Sequence, residues 1–331
     1  MGRSENRRSN AAGNAPSWLD DVLTRRRFST ILASVIGLPF IEKLDPSFIS
    51  EPDLNNGAIS GEFSFATPPG SYLLYDQAVA HVLPKDGFRS RIALKSSILK
   101  LVEYGVIDRG KLFAIFGKPR PAPVEFTHVL TKPSDRPIRL TAANASRYVD
   151  LLWPIGLANH MAANAKSPLY GSPVKYASNE GWTLGREESG MGYFDKFPIV
   201  QLTLEQERRV VRIAKATYRP CCDNSTFFQD CNHGSALLGL LQLGASQGLS
   251  THELYREALA FNAFWFPDNY VQTALFFQVI KKTRWADVDP KLVLGYDYSA
   301  VSSWQRNVAD RVAKIRGLIP PAPNGGAGCG V

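Results

Sequence analysis

The stretch Gly234-Ser235-Ala236-Leu237-Leu238-Gly239-Leu240-Leu241-Gln242-Leu243-Gly244-Ala245-Ser246-Gln247-Gly248 constrains the fold of this chain more than any other. Its leucines cover every side of a helix rather than one stripe, and a helix that is apolar all round belongs inside a core. Gly239 and Gly244 lower helix propensity but let neighbouring backbones come close. The run is interrupted by Gln242 and Gln247 and is shorter than the roughly 20 residues that a bilayer span needs. A buried helix near 234–247 is expected, capped at its start by Asp230, Asn232 or Ser235 and ended by Gly248.

The residues just ahead of that helix carry the chemistry. Three of the four cysteines fall in Arg219-Pro220-Cys221-Cys222-Asp223-Asn224-Ser225-Thr226-Phe227-Phe228-Gln229-Asp230-Cys231-Asn232-His233-Gly234. Thiols, an imidazole and a carboxylate gathered in one short segment suit a soft metal, a disulfide or a reactive thiol. Cys231 and His233 would stand at the N-terminus of the buried helix, where partial positive charge lowers a thiol pKa below its usual value of about 8.5. The candidate metal ligands are Cys221, Cys222, Cys231, His233 and Asp230, with zinc, copper or iron as the ion. Asp230 would be a fifth ligand or the group that orients His233. As a redox site, Cys231 would be the activated thiol and Cys222 the resolving one.

Plainer readings stand beside these. A disulfide from Cys221 or Cys222 to Cys231 would staple the loop, worth roughly 2.5–3 kcal/mol on the chain-entropy argument. Buried free cysteines acting as small apolar groups are another. The spacing lacks C-x-x-C, H-x(3–5)-H and C-x-x-C-H, so it matches neither the common zinc signatures nor c-type haem attachment. On a helix Cys231 and His233, two apart, do not face one another, which weighs against a thiol–imidazole hydrolase built from this pair.

The net charge of the 331-residue chain is +8, and a dense part of it lies at the start. Arg3, Arg7, Arg8, Arg25, Arg26 and Arg27 are opposed there only by Glu5, Asp20 and Asp21. Elsewhere no basic stripe interleaves with aromatics and no helix-turn-helix or zinc-finger pattern occurs, so nucleic acid is not an expected partner. Thr24-Arg25-Arg26-Arg27-Phe28 leads into Ser29-Thr30-Ile31-Leu32-Ala33-Ser34-Val35-Ile36-Gly37-Leu38-Pro39-Phe40-Ile41, an Arg-bearing segment followed by a short apolar one. Residues 20–42 resemble a twin-arginine export signal, with Thr24, Arg25, Arg26 and Phe28 on the motif and Ser29 where an apolar residue is usual. The resemblance implies the export machinery as a partner and an extracytoplasmic location. No small-x-small site precedes Glu42-Lys43, so an uncleaved segment would also anchor the protein to the membrane. The competing reading of these residues is a basic amphipathic helix with a short buried element.

Along the rest of the chain, residues 1–19 read as disordered, 43–70 as a Pro/Gly-rich linker, 71–318 as a helical globular domain and 319–331 as a flexible tail carrying Cys329. Helical periodicity is read over Tyr72 to His81 and Ser90 to Tyr104, with Ile92, Leu94, Ile98, Leu99, Leu101 and Val102 on one face. Lys111 to Phe116 reads as a short helix. Lys118 to Leu140, broken by five prolines, reads as an irregular loop, extended over Val124 to Leu130. A long helix is expected from a cap at Thr141 to His160, kinked or divided at Pro154. Thr203-Leu204-Glu205-Gln206 and Ser250-Thr251-His252-Glu253 fit capping boxes. Further helices are read from Asp268 and over Tyr298 to Ile315.

The remaining candidates have bland explanations. His160 beside Met161 offers a copper-type pair, but on an apolar helix a packed histidine is the simpler outcome. The aromatic run from Phe261 to Tyr270, with Phe276 and Phe277, would line a small-molecule pocket or, more simply, pack two helices. Gly185 to Gly192 lacks a phosphate-loop ending, and Ser189 is not in a nucleophile elbow. The sequence thus describes a mostly α, single irregular helical domain with long Pro/Gly-rich loops. Its expected function is that of an exported or membrane-anchored protein with a Cys/His metal or thiol-redox site. The alternative is a non-enzymatic cell-envelope binding or scaffold protein stapled by a disulfide.

Overall fold

A computed structural model describes residues 72–116, 124–172 and 174–321. The export-type segment at 20–42, the linker at 43–70 and Cys329 lie outside the described residues. The described chain belongs to one contact unit, Gly57–Val331. Its main elements are α1 (Leu73–Val82), β1 (Phe88–Lys95), α2 (Ser97–Glu103), α3 (Arg109–Phe116), α4 (Val124–Val129), β2 (Ser134–Leu140), α5 (Ala145–Ala158), α6 (Leu204–Ala216), α7 (Asn232–Ser246), α8 (Thr251–Trp265) and α9 (Pro267–Leu275). The fold is mostly helical, with β1 and β2 as a two-stranded antiparallel sheet.

Helix α7 is the centre of the molecule. Every residue from Gly234 to Ala245 is buried, as the all-round leucine pattern requires. It packs most closely on α5, whose Pro154 lies inside the helix without ending it. Gly156 of α5 and Gly239 of α7 make that approach possible: a Cβ on Gly156 would overlap the Ser235 carbonyl, and one on Gly239 the Leu152 carbonyl. α6 begins in a capping box between Thr203 and Gln206, and α8 in one between Ser250 and Glu253. A second apolar cluster joins α1 and α9 to the C-terminal segments through Tyr270, Phe276, Phe277, Trp304 and Val308. Phe261 and Phe264 belong to the main core, so the aromatic run mostly packs helices.

Four sequence expectations are corrected. Residues 88–95 form a strand, not the start of a helix: Arg89 and Arg91 are exposed while Ser90 and Ile92 are buried, a period of two. Residues 124–129 are helical and 134–140 are a strand, rather than one long loop. Asn144, not Thr141, occupies the N-cap of α5. The helix read over Tyr298 to Ile315 is broken into Tyr296–Ser299, Val301–Trp304, a π-helical turn at Gln305–Ala309 and Asp310–Val312. No helix among the described residues is long and apolar enough to cross a membrane.

Candidate metal-thiolate site

The cysteine segment connects α6 to α7 and is held shut by polar bonds at its base. Thr226 N–H donates to the Thr217 carbonyl at 2.9 Å, and the two threonine hydroxyls meet at 3.0 Å. Gln229, fully buried, accepts from Ser235 Oγ of α7 at 2.8 Å. On the outer side, Val301 N–H donates to the Cys222 carbonyl and Ser302 N–H to Asp223 Oδ1. The loop is therefore tied to α6, α7 and the C-terminal helices together.

This closure brings three sulfurs to one point. Cys221 Sγ lies 3.5 Å from Cys231 Sγ and 3.9 Å from Cys222 Sγ, and Cys222 and Cys231 are 3.9 Å apart. These are contact distances rather than bonds, and all three cysteines are free thiols. A tetrahedral ion with metal–sulfur bonds of about 2.3 Å holds its sulfurs about 3.8 Å apart. The triangle could close on a metal without rearrangement.

Cys231 caps α7. Its sulfur accepts from the Gly234 N–H at 3.3 Å, in the place where Asp230, Asn232 or Ser235 was expected from residue preferences. The buried loop simply leaves Cys231 as the residue facing the open N–H groups. Asp230 contributes differently: its Oδ1 accepts from Arg219 Nη2 at 2.7 Å and from Cys222 Sγ at 3.7 Å, and its Oδ2 accepts from Asn224 Nδ2 at 2.8 Å. His233 packs its ring on Phe266 and Trp265 at centroid distances of 4.7 and 5.7 Å. The group of mutually close donors consists of Cys221, Cys222 and Cys231; the expected ligands Asp230 and His233 are not part of it.

Arg219 is the residue that sequence reading missed. Its side chain is fully buried, and Nε donates to Cys231 Sγ at 3.4 Å, Nη1 to the Asn224 carbonyl at 2.9 Å and Nη2 to Asp230. A Cβ on Gly234 would stand 2.7–3.0 Å from the guanidinium, so the glycine is what lets the cation lie against the helix start. An arginine two residues before a Cys-Cys pair was the only available signal, and an arginine is ordinarily read as surface.

The electrostatics follow from these contacts. Hydrogen bonds from Cys221 and Cys222 hold the Cys231 thiol well below its ordinary pKa, overcoming burial, and the charges of Arg219 and His233 act in the same sense. The other two thiols move up: Cys221 through its hydrogen bonds to Cys222 and Cys231 and through burial. For Cys222 the bond with Cys221 acts downward, but the bond to Cys231 and burial outweigh it and push the thiol up to about 12. Burial, reinforced by the charge on Cys231, raises the Asp230 carboxyl despite Arg219 and Asn224. Burial opposes the charge on Arg219, but the sulfurs and Asp230 prevail and keep it cationic. Two thiols, a guanidinium and a helix N-terminus thus all act to favour loss of the Cys231 proton.

The copper-type pair is not assembled. Met161 is buried with its sulfur accepting from Gln242 Nε2 at 3.4 Å, whereas the His160 ring is exposed beside Asp195. The chain matches no known protein family, no curated protein and no solved structure.

Proposed function

We propose that this protein is an exported metal-binding protein whose Cys221, Cys222 and Cys231 thiolates hold a soft ion. The observation that carries the reading is the sulfur triangle, with separations of 3.5–3.9 Å that suit a single metal centre. Three sulfurs favour zinc or copper(I) over iron bound alone, because thiolate ligands select soft ions. Arg219 would offset part of the excess negative charge of a tris-thiolate complex, and Asp230 would hold Arg219 in place. The export-type segment at residues 20–42 supports an extracytoplasmic setting, either released or anchored.

A second reading rests on the Cys231 thiol, whose pKa is lowered by its neighbours and which lies within contact of Cys221. Cys231 thiolate would attack a disulfide substrate, expelling one of its sulfurs as thiolate and forming a mixed disulfide. Cys221, 3.5 Å away and so nearer than the expected resolving thiol Cys222 at 3.9 Å, would then lose its proton to solvent and displace the second substrate sulfur, leaving a Cys221–Cys231 disulfide. Substrate is reduced by two electrons and the protein is oxidised by two. The same bond, formed permanently, would be the structural staple of the scaffold alternative.

Elemental analysis of protein purified without added metal, with thiol titration before and after reduction, separates these readings. One equivalent of zinc or copper, lost in Cys231→Ser, is the expected result. A metal-free protein that gains two titratable thiols only on reduction would overturn the metal reading and favour the disulfide.

A further inference from the structure

The sheet carries a cluster of cations that the thiolate site does not use. Arg89 and Arg91 lie two apart on β1 and so point to one face, and Arg139 stands directly opposite Arg89 in the register of β1 with β2. Like charges directly across an antiparallel pair are destabilising. Arg89 and Arg91 are exposed, so their charges are open to solvent. Arg256 of α8 joins them: Phe88, Arg89, Arg91, Arg256, Glu253 and Glu257 line a cleft of about 200 Å³ between β1 and α8. Arg89 also lines an adjoining hollow with Ser90, Pro137, Ile138 and Arg139.

The two acids of the cleft are already committed to the fold. Glu257, buried, accepts from Ser90 Oγ at 2.6 Å and from the Arg91 N–H at 2.8 Å. Glu253 pairs with Arg91 and accepts from the Ser250 N–H at 2.8 Å as part of its capping box. Arg139 turns away from Arg89 and donates to the Asp86 carbonyl from Nε and Nη2 at 3.2 and 3.0 Å. The side chains of Arg89 and Arg256 make no hydrogen bond or close ion pair among the described residues, although the charge of Arg256 is felt by Glu257. The guanidiniums of Arg89 and Arg256 therefore line one concave surface together with Arg91 and the half-buried Phe88.

We propose that this cleft binds a phosphate group, carried either by a soluble phosphate compound or by a lipid headgroup, with Arg89 and Arg256 as the forks that grip it. Guanidinium presents paired N–H donors whose geometry matches phosphate oxygens, and an anion beside Arg89 offsets its like-charge pairing with Arg139. Phe88 supplies an apolar surface for the organic part of an ester.

The test uses the full chain and the variants Arg89→Gln, Arg256→Gln and their combination. Calorimetric titration with inorganic phosphate at constant ionic strength forms one arm, and flotation with phosphatidylglycerol vesicles against phosphatidylcholine vesicles forms the other. Saturable phosphate binding, weakened at least tenfold by each single change and lost in the double variant, establishes the soluble source. Retention on phosphatidylglycerol over phosphatidylcholine, reduced at least tenfold in the double variant with residues 20–42 present in both proteins, establishes the lipid source. Binding in neither arm, or binding that is the same in the double variant as in the parent protein, overturns the proposal. The metal and thiol content of the variants stays that of the parent protein, so the outcome is independent of the thiolate site.

Discussion

Arg219 in the cysteine loop and Arg89 on strand β1 put the same guanidinium into opposite circumstances. The Arg219 side chain is fully buried with three hydrogen-bond acceptors, while the side chain of Arg89 is exposed and has none among the described residues. A buried cation survives only when its donors are matched, since desolvation costs several kcal/mol per ion. Water does that work for an exposed one, which is free to meet a ligand. Charge inside the molecule is thus part of the folding problem, whereas charge on the sheet is available for recognition. The cysteine loop mixes both roles, because its matched cation also faces a sulfur.

The largest effect that would sharpen this contrast is expected from Arg219→Met. Removing the cation leaves Asp230 buried without its counter-ion, at a cost of about 3–5 kcal/mol. Urea unfolding of Arg219→Met, Asp230→Asn and the double variant would show it, with the double variant recovering part of the loss. A shift below about 1 kcal/mol for the single change would mean that the pair is not a stabilising feature.

Gly234→Ala and Gly239→Ala come next, each at about 1–3 kcal/mol from overpacking. They differ in kind. Gly239→Ala pushes α7 off α5 and leaves the loop chemistry alone, whereas Gly234→Ala displaces the guanidinium from Cys231. Alkylation rates of Cys231 should therefore change in Gly234→Ala and hold in Gly239→Ala, with equal changes in both arguing against a role for Arg219 at the sulfur.

Glu257 gives a pH-dependent effect. Burial raises its carboxyl above the usual value, against the hydrogen bonds of Ser90 and Arg91 and the charges of Arg256 and Arg91. A raised folded-state pKa means that its stabilising contribution is complete below the ordinary glutamate range and is lost as pH rises through the raised value. Unfolding midpoints between pH 4 and pH 8 should show that decline in the parent protein and a flatter profile in Glu257→Gln. Identical profiles would remove Glu257 from the account. The smallest expected change is a gain: Arg89→Gln relieves the cross-strand repulsion by about 0.2–1 kcal/mol, read as a higher unfolding midpoint without phosphate.

Several features could be read directly from local chemistry. Both capping boxes form as their residue patterns demand, because the reciprocal bonds span only three positions. Gly105 and Gly248 adopt positive φ where helices end. The strand at 88–95 was misread because Ile92, Leu94 and Ile98 also fit a helical stripe, and short apolar runs do not distinguish the two periods. What decided it was the edge of β1, where Gln247 bonds both the N–H and the carbonyl of Ala93 and Glu257 bonds the N–H of Arg91. Those partners come from 154 and 166 residues away and leave no local trace.

The sequence by itself determined that the helix at 234–247 is buried, because leucines on all its faces have no alternative in water. It also determined that a soft-ligand cluster stands at that helix's start. Only the tertiary structure decided which donors converge. Sulfurs from Cys221, Cys222 and Cys231 meet because the Thr217–Thr226 contact folds the loop back, while His233 is drawn onto Phe266 and Trp265. Arg219 took its place for the same reason: a largely buried carboxylate needs a cation within reach, and the folded loop placed this one against both Asp230 and the Cys231 sulfur.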